Sequence, residues 1–191
     1  PLAPFTTSTL QQEASNKFGF SAFRTMRIAQ KLYEGINIGS ETTGLITYMR
    51  TDGVQLSSQA IEELREEIIN RHGKDYIPQV PRVYKSKAAN AQEAHEAIRP
   101  TSISRDPEDM SQYLDTEQLK LYELIWKRTI SSQMQSAELD ETSADISNKD
   151  MSIVFRANGS QVSFPGFFIY RDREDDKICL LYTSDAADDM Q

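Results

Sequence analysis

Gly44-Leu45-Ile46-Thr47-Tyr48-Met49-Arg50-Thr51-Asp52-Gly53 begins as a strand and ends as a polar turn. Leu45, Ile46, Thr47 and Tyr48 favour extended structure, and Asp52-Gly53 marks a turn. The reading places Tyr48 at the end of a short strand, where the chain leaves the core. Side chains alternate along extended backbone, so Arg50 shares the face of Tyr48 if the strand continues that far. A phenol beside a guanidinium suits chemistry on a phosphodiester. Tyrosine oxygen can attack phosphorus and form a covalent intermediate. The free phenol has a pKa of about 10 and needs help to lose its proton near neutrality. Arginine stays charged, binds phosphate through two parallel hydrogen bonds and can stabilise developing negative charge. The bland reading of the same pair is packing plus a surface cation.

Upstream, Thr6-Thr7-Ser8-Thr9 offers N-caps for a helix over Leu10 to Lys17, with Gly19 as its stop. The start of this helix could present free amides and a positive dipole end to a phosphate. A second helix is predicted from Ser21 to Glu34, with Phe23, Met26, Ala29 or Gln30, and Tyr33 at helical spacing and Gly35 at its end. Arg24, Arg27 and Lys31 follow on one side, where they could meet a phosphate backbone or simply be solvated.

Downstream, Ser57 caps a helix from Ser58 to Arg71, with Ile61, Leu64, Ile68 and Ile69 inward and Glu62, Glu63, Glu66 and Glu67 outward. His72 reads as a charge partner for that helix's C-terminal dipole. Asp75 to Ala91 reads as a loop exposing Lys85 and Lys87. Gln92-Glu93-Ala94-His95-Glu96-Ala97-Ile98-Arg99-Pro100 holds the other histidine. Glu93 and Glu96 could orient its ring or be surface charges, and Arg99 could pair with a carboxylate. Ser104 to Met110 reads as a connector. Thr116 to Met134 reads as a helix whose Leu119, Tyr122, Leu124, Ile125, Trp126 and Ile130 form a thick apolar stripe, with Trp126 in the core. Beyond Ser136 the period becomes two. Thr142 to Ile146, Met151 to Arg156 and Gln161 to Phe164 read as strands, with Asn158-Gly159 as a hairpin turn.

Three of these stretches carry a resemblance. Ile46-Thr47-Tyr48-Met49-Arg50-Thr51-Asp52 closely resembles the active-site tyrosine motif of bacterial type IA DNA topoisomerases. Pro4-Phe5-Thr6-Thr7-Ser8-Thr9-Leu10-Gln11-Gln12-Glu13-Ala14 is similar to the family segment before the tyrosine. Ala94-His95-Glu96-Ala97-Ile98-Arg99-Pro100 is similar to the segment after it. The resemblance runs from Pro1 to about Tyr170 and covers only a middle portion of the family's full-length protein.

The resemblance implies an α+β chain. Residues 1–135 would form a mainly helical catalytic-tyrosine domain of winged-helix-like, helix-turn-helix character. Residues 136–171 would begin a β-rich bridging domain, and 172–191 would be a non-native or disordered tail. It implies ATP-independent relaxation of negatively supercoiled DNA by transient single-strand cleavage, strand passage and religation. Tyr48 would be the nucleophile and carry the 5′ phosphate, Arg50 would position that phosphate, and His95 would assist it. Arg24, Arg27, Lys31, Thr9 and Gln12 would contact DNA, preferably single-stranded or negatively supercoiled, and the protein would act as a cytoplasmic monomer with no membrane partner. Mg2+ would be bound by an acidic domain that precedes this segment in the family. No Asp-x-Asp-x-Glu cluster occurs here, so these residues alone are expected not to relax DNA. No glycine-rich phosphate loop of the P-loop type occurs either.

Composition sets the outer bounds. The 191 residues suit one domain to one and a half, and their start at Pro1 without Met suggests a fragment. No apolar run is long enough to span a membrane. The single Cys179 excludes an internal disulfide framework and a cysteine-rich zinc site. The net charge of -8 argues against a simple DNA-binding protein, but the charge is unevenly spread. Residues 172–191 hold seven acids and two bases, whereas the first fifty carry Lys17, Arg24, Arg27, Lys31 and Arg50 against Glu13, Glu34 and Glu41, a net of +2. The acidic run Asp172, Glu174, Asp175, Asp176 reads as a solvated segment rather than a metal site. The competing readings are a non-catalytic helix-turn-helix DNA-binding module and a helical protein-interaction domain.

Overall fold

The computed structural model describes residues 1–39, 41–85, 96–147 and 154–171. Glu93, His95, Lys87 and the tail from 172 lie outside the described residues. The chain divides into two compact units, Pro1–Gln135 and Ser136–Gln191.

The first unit opens with α1 (Thr7–Phe18). Thr6 caps it, and Thr6 and Thr9 satisfy each other's backbone amides in a capping box. Gly19 closes it in the left-handed region, with φ of 66°. Leu10 and Ala14 are its buried residues. Next comes α2 (Ala22–Glu34), capped by Ser21. Its inward face is Thr25, Ile28, Ala29 and Leu32, not the stripe expected from Phe23 and Tyr33. Phe23 is 79% exposed and Tyr33 41%. A threonine is accommodated inside because its hydroxyl donates to Ser21 O at 3.0 Å, which removes the cost of an unpaired buried polar group.

A small antiparallel hairpin follows, β1 (Ile36–Asn37) with β2 (Thr42–Thr43). Then α3 (Ser58–His72), capped by Ser57, buries Ala60, Leu64 and Ile68 while Ile61 and Ile69 are half-buried. His72 lies, as expected, in the last turn of α3. Burial, and then the neighbouring Arg71 charge, lower its imidazole pKa from the ordinary value, and its ring lies 5.3 Å from that of Tyr76.

The expected connector before Met110 contains a short helix, α4 (Pro107–Met110), started by Asp106 as cap and Pro107 at its first turn. The central element is α5 (Thr116–Ser132), opened by an Asp115–Gln118 capping box. It packs against α1, α2 and α4 and buries Leu121, Tyr122, Leu124, Ile125, Trp126, Thr129 and Ile130. The polar atoms of its two large aromatics are satisfied. Trp126 Nε1 donates to Ile103 O at 2.8 Å, and Tyr122 Oη donates to Arg105 O at 2.7 Å. Residues 76–84 cross its C-terminal end. There Gln135 N donates to Tyr76 O at 2.7 Å, and Tyr84 Oη to Ser132 O at 2.9 Å.

The second unit contains one antiparallel ribbon, β3 (Glu138–Ser147) paired with β4 (Val154–Phe164). Asn158-Gly159 is not its turn. Asn158 pairs with Ser143 and Gly159 with Thr142, in the middle of β4. The connection lies between Ser147 and Val154, and β3 is exposed throughout. Asp145 and Arg156 form a two-bond ion pair across the strands, at 2.7 and 2.8 Å.

The placement of α2 is open to direct test. We predict that Ile28→Ala costs about 2–5 kcal/mol, whereas Phe23→Ala stays within about 0.5 kcal/mol. Urea denaturation of both variants measures this, and the reverse ranking would return the buried stripe to Phe23.

Candidate active site

Three remote segments meet around Tyr48. Residues 96–100 run between the other two. Ile98 N donates to Phe5 O at 2.9 Å, and Ala97 N to Gln55 O at 2.9 Å. Thr47 N donates to Arg99 O at 2.8 Å and Thr101 N to Leu45 O at 3.0 Å. Thr47 adds a second link through its side chain. Its Oγ1 donates to Ala97 O at 2.8 Å and accepts from Arg99 N at 3.0 Å.

The other flank of Tyr48 is held by Thr7, the first residue of α1. Thr7 N donates to Thr51 O at 2.9 Å, and Thr51 N returns a bond to Thr7 Oγ1 at 2.9 Å. The Thr7 hydroxyl hydrogen is directed between Met49 O, at 2.7 Å, and Thr51 O, at 3.1 Å. The turn beyond is made by the Thr51 side chain, whose Oγ1 accepts from Gly53 N at 2.9 Å.

This backbone is a stretch with one isolated bridge, Ile46 to Pro100, rather than a regular strand. Tyr48, Met49 and Arg50 run exposed, buried, exposed, with Met49 and Arg50 in a bend. Leu45, Ile46 and Met49 are buried, while Tyr48 is 48% exposed and Arg50 is exposed. Tyr48 and Arg50 therefore point outward on either side of a buried methionine. Among the described residues nothing hydrogen-bonds the Tyr48 hydroxyl or pairs with the Arg50 guanidinium. The Tyr48 ring meets that of Tyr33 edge to face, with centroids 5.5 Å apart and planes at 65°.

Glu96 follows His95 in sequence, and its carboxylate is taken. It accepts from Arg99 Nε at 2.7 Å, from Arg99 Nη2 at 3.1 Å and from Ser57 N at 2.9 Å. Arg99 is thus paired with a carboxylate. Burial raises the Glu96 pKa, but the Arg99 and Ser57 hydrogen bonds outweigh it and hold the carboxyl below its ordinary range.

The proposed DNA contacts are in different states of engagement. Arg24 is paired with Glu117 and lies 4.7 Å from the centre of the Phe20 ring. Arg27 and Lys31 are exposed on the same helix and help to lower the Glu117 pKa, whose largest cause is the Arg24 hydrogen bond. Thr9 Oγ1 accepts from Thr6 N at 2.9 Å in the capping box, and Gln12 is exposed. The start of α1 offers fewer donors than expected, since Thr7 N and Thr9 N are already bonded within the chain. Sequence reasoning missed Thr7 and Thr47 as pins of the tyrosine segment. Both stand in the quoted motifs, but their partners are 42 to 52 positions away.

Comparison with known proteins is consistent with this geometry. A family model described as DNA topoisomerase matches residues 1–186. The chain belongs to the bacterial type IA DNA topoisomerase family. Curated relatives named DNA topoisomerase 1 include those of Rickettsia bellii, 55% identical over 178 residues, and Xylella fastidiosa, 52% over 179. Each alignment covers 93% of this chain but only 22% of the relative. The chain thus spans about a fifth of the length of these relatives. A solved structure of full-length topoisomerase I from Thermotoga maritima matches with a TM-score of 0.77 and 42% identity, over 89% of this chain and 27% of that one. The family match reaches residue 186, beyond Tyr170 where the resemblance was expected to end.

Two predictions follow for this topoisomerase segment. Thr7→Val leaves Thr51 N and Met49 O without their partner, and we predict a loss of about 1–3 kcal/mol that Thr7→Ser largely restores. Equilibrium urea unfolding checks both variants. Glu96 has a folded pKa below its unfolded value of 4.5. Its contribution is therefore fully present above that pH and fades as pH falls through the lower folded value. The stability gap between wild type and Glu96→Gln should shrink on acidification below about pH 4.5. A gap that stays constant from neutral pH to pH 3 would contradict this role.

Proposed function

We propose that this chain is the tyrosine-bearing segment of an enzyme that cuts and reseals one DNA strand, changing DNA topology without ATP. The observation that carries the reading is the pair of exposed polar heads, Tyr48 and Arg50, on a backbone pinned by two other family-matched segments. Tyr48 Oη attacks the phosphorus of a backbone phosphodiester. The bond from phosphorus to the 3′ oxygen of the preceding nucleotide breaks. The phenolic proton leaves to solvent or a base, and the departing 3′ oxygen takes up a proton. The strand's 5′ phosphate is then joined to Tyr48, and the reverse attack by the 3′ hydroxyl restores both partners. The phosphodiester energy is kept in the tyrosine link, so no nucleotide is needed.

Arg50 holds the non-bridging oxygens and stabilises their transition-state charge. His95 serves the same phosphate in this reading, since imidazole can donate to a phosphate oxygen or move a proton near neutral pH. Arg27 and Lys31, with Arg24, Thr9 and Gln12, would contact the strand approaching along α2 and α1, and their share of the binding would weaken with salt. The winged-helix-like character belongs to this proposal, with β1 and β2 after α2 as the small wing. Mg2+ remains the expected cofactor. Among the described residues no three His, Cys, Asp or Glu side chains converge to hold a metal, so these residues do not fit that ion and no step is routed through it. Among those residues, too, no helix is long and apolar enough to cross a membrane.

The test is covalent capture of a labelled single-stranded oligonucleotide by a full-length DNA topoisomerase 1 whose matching segment is replaced by residues 1–186. We expect a denaturation-resistant adduct that Tyr48→Phe abolishes without weakening oligonucleotide binding. Arg50→Ala should slow adduct formation by about 10²–10³-fold. An adduct of undiminished yield in Tyr48→Phe would refute the assignment. The 191-residue chain alone, mixed with supercoiled plasmid and Mg2+, should produce no topoisomers.

A further inference from the structure

We propose that Tyr33 is a positioning residue for Tyr48, holding the phenol ring at the angle from which it attacks. The inference rests on the reading of Tyr48 as nucleophile. Tyr33 lies in the last turn of α2 and is not a core residue, since it is 41% exposed. Its ring meets the Tyr48 ring edge to face, at 5.5 Å. An exposed phenol on an extended segment has two side-chain torsions open to it, and the backbone bonds of Thr47 and Thr51 do not restrict either. A neighbouring ring in the edge-to-face arrangement favours one orientation.

Backbone contacts bring the two rings together. Leu45 N donates to Leu32 O at 2.7 Å, joining the end of α2 to the backbone three residues before Tyr48. Gly44 lies so close that a Cβ placed on it would stand 2.5 Å from Tyr33 O. Only glycine lets the last turn of α2 approach the tyrosine segment this closely. Tyr33 Cα is thereby fixed relative to Tyr48 Cα, and the ring contact is a consequence of backbone geometry. A reacting oxygen must reach phosphorus in line, and misplacement of about 1 Å can cost roughly a hundredfold in rate. Tyr33 touches neither the phosphate nor the reacting atoms in this account. It acts through the Tyr48 ring.

The experiment compares Tyr33→Leu and Tyr33→Phe in the full-length topoisomerase carrying residues 1–186, by single-turnover cleavage of a single-stranded oligonucleotide. Tyr33→Leu should lower the cleavage rate roughly 10–100-fold, with oligonucleotide affinity and melting temperature unchanged. Tyr33→Phe, which keeps the ring, should cleave at the wild-type rate. In the 191-residue chain, nuclear Overhauser contacts should join the Tyr33 and Tyr48 rings, and Tyr33→Leu should shift the Tyr48 ring resonances. Wild-type cleavage by Tyr33→Leu, equal loss in Tyr33→Phe, or absence of ring-to-ring contacts in the wild type would each overturn the inference. A wild-type enzyme that forms no adduct at Tyr48 would fail earlier, at the nucleophile reading, and take this inference with it.

Discussion

Two threonine hydroxyls tie the tyrosine segment to the rest of the first unit. Thr47 is bonded to Ala97 O and Arg99 N, and Thr7 to Met49 O, Thr51 O and Thr51 N. Segments more than forty residues apart are joined through these atoms. Such closures are entropically costly for a chain, and they are offset here by burial of Phe5, Leu45, Ile46, Met49 and Ile98 beneath the polar links. The same arrangement that buries those side chains leaves Tyr48 and Arg50 outside. A bend at Met49 and Arg50 accompanies this sorting, with Met49 buried between two exposed side chains. A shift by one residue would bury a guanidinium and expose a methionine.

The polar periphery follows a related logic. Glu96 and Arg99 neutralise each other within the segment after His95, and Glu96 also caps the amide of Ser57 at the start of α3. Arg24 is likewise paired with Glu117. Arg50 stands outside this pairing among the described residues. A cation without a partner among the described residues, two positions from an exposed phenol, suits an anion that arrives from solution. An extended phosphodiester chain, the substrate class of the proposed reaction, is such an anion.

Much of the first unit was legible in the sequence, because its helices carry their own start and stop chemistry. Thr6 and Ser57 cap where hydroxyl residues precede an apolar repeat, and Gly19 stops α1 where a left-handed residue is required. The exposure of Tyr48 and Arg50 on either side of a buried Met49 was legible locally, although the strand does not continue to Arg50. Long-range facts were not. The inward face of α2 was misplaced because Phe23 and Tyr33 are more hydrophobic than Thr25. What decides that face is close packing and the hydroxyl bond of Thr25, neither of which is visible along the chain. Asn158-Gly159 misled because a ribbon exposed on both faces places few demands on register. A turn dipeptide can then sit within a strand. Thr7 and Thr47 read as ordinary cap and strand residues because their partners come from elsewhere in the sequence.

Native-state hydrogen exchange of the backbone amides tests most directly whether one cooperative clamp holds the tyrosine segment. Thr7, Thr47, Thr51, Ile98 and Thr101 donate the bonds that join the three segments. These five amides should exchange together, by one opening event, with protection close to that of the α5 core. Thr47 and Thr51 exchanging rapidly while Ile98 stays protected would contradict it, and would make the tyrosine segment a loosely attached loop.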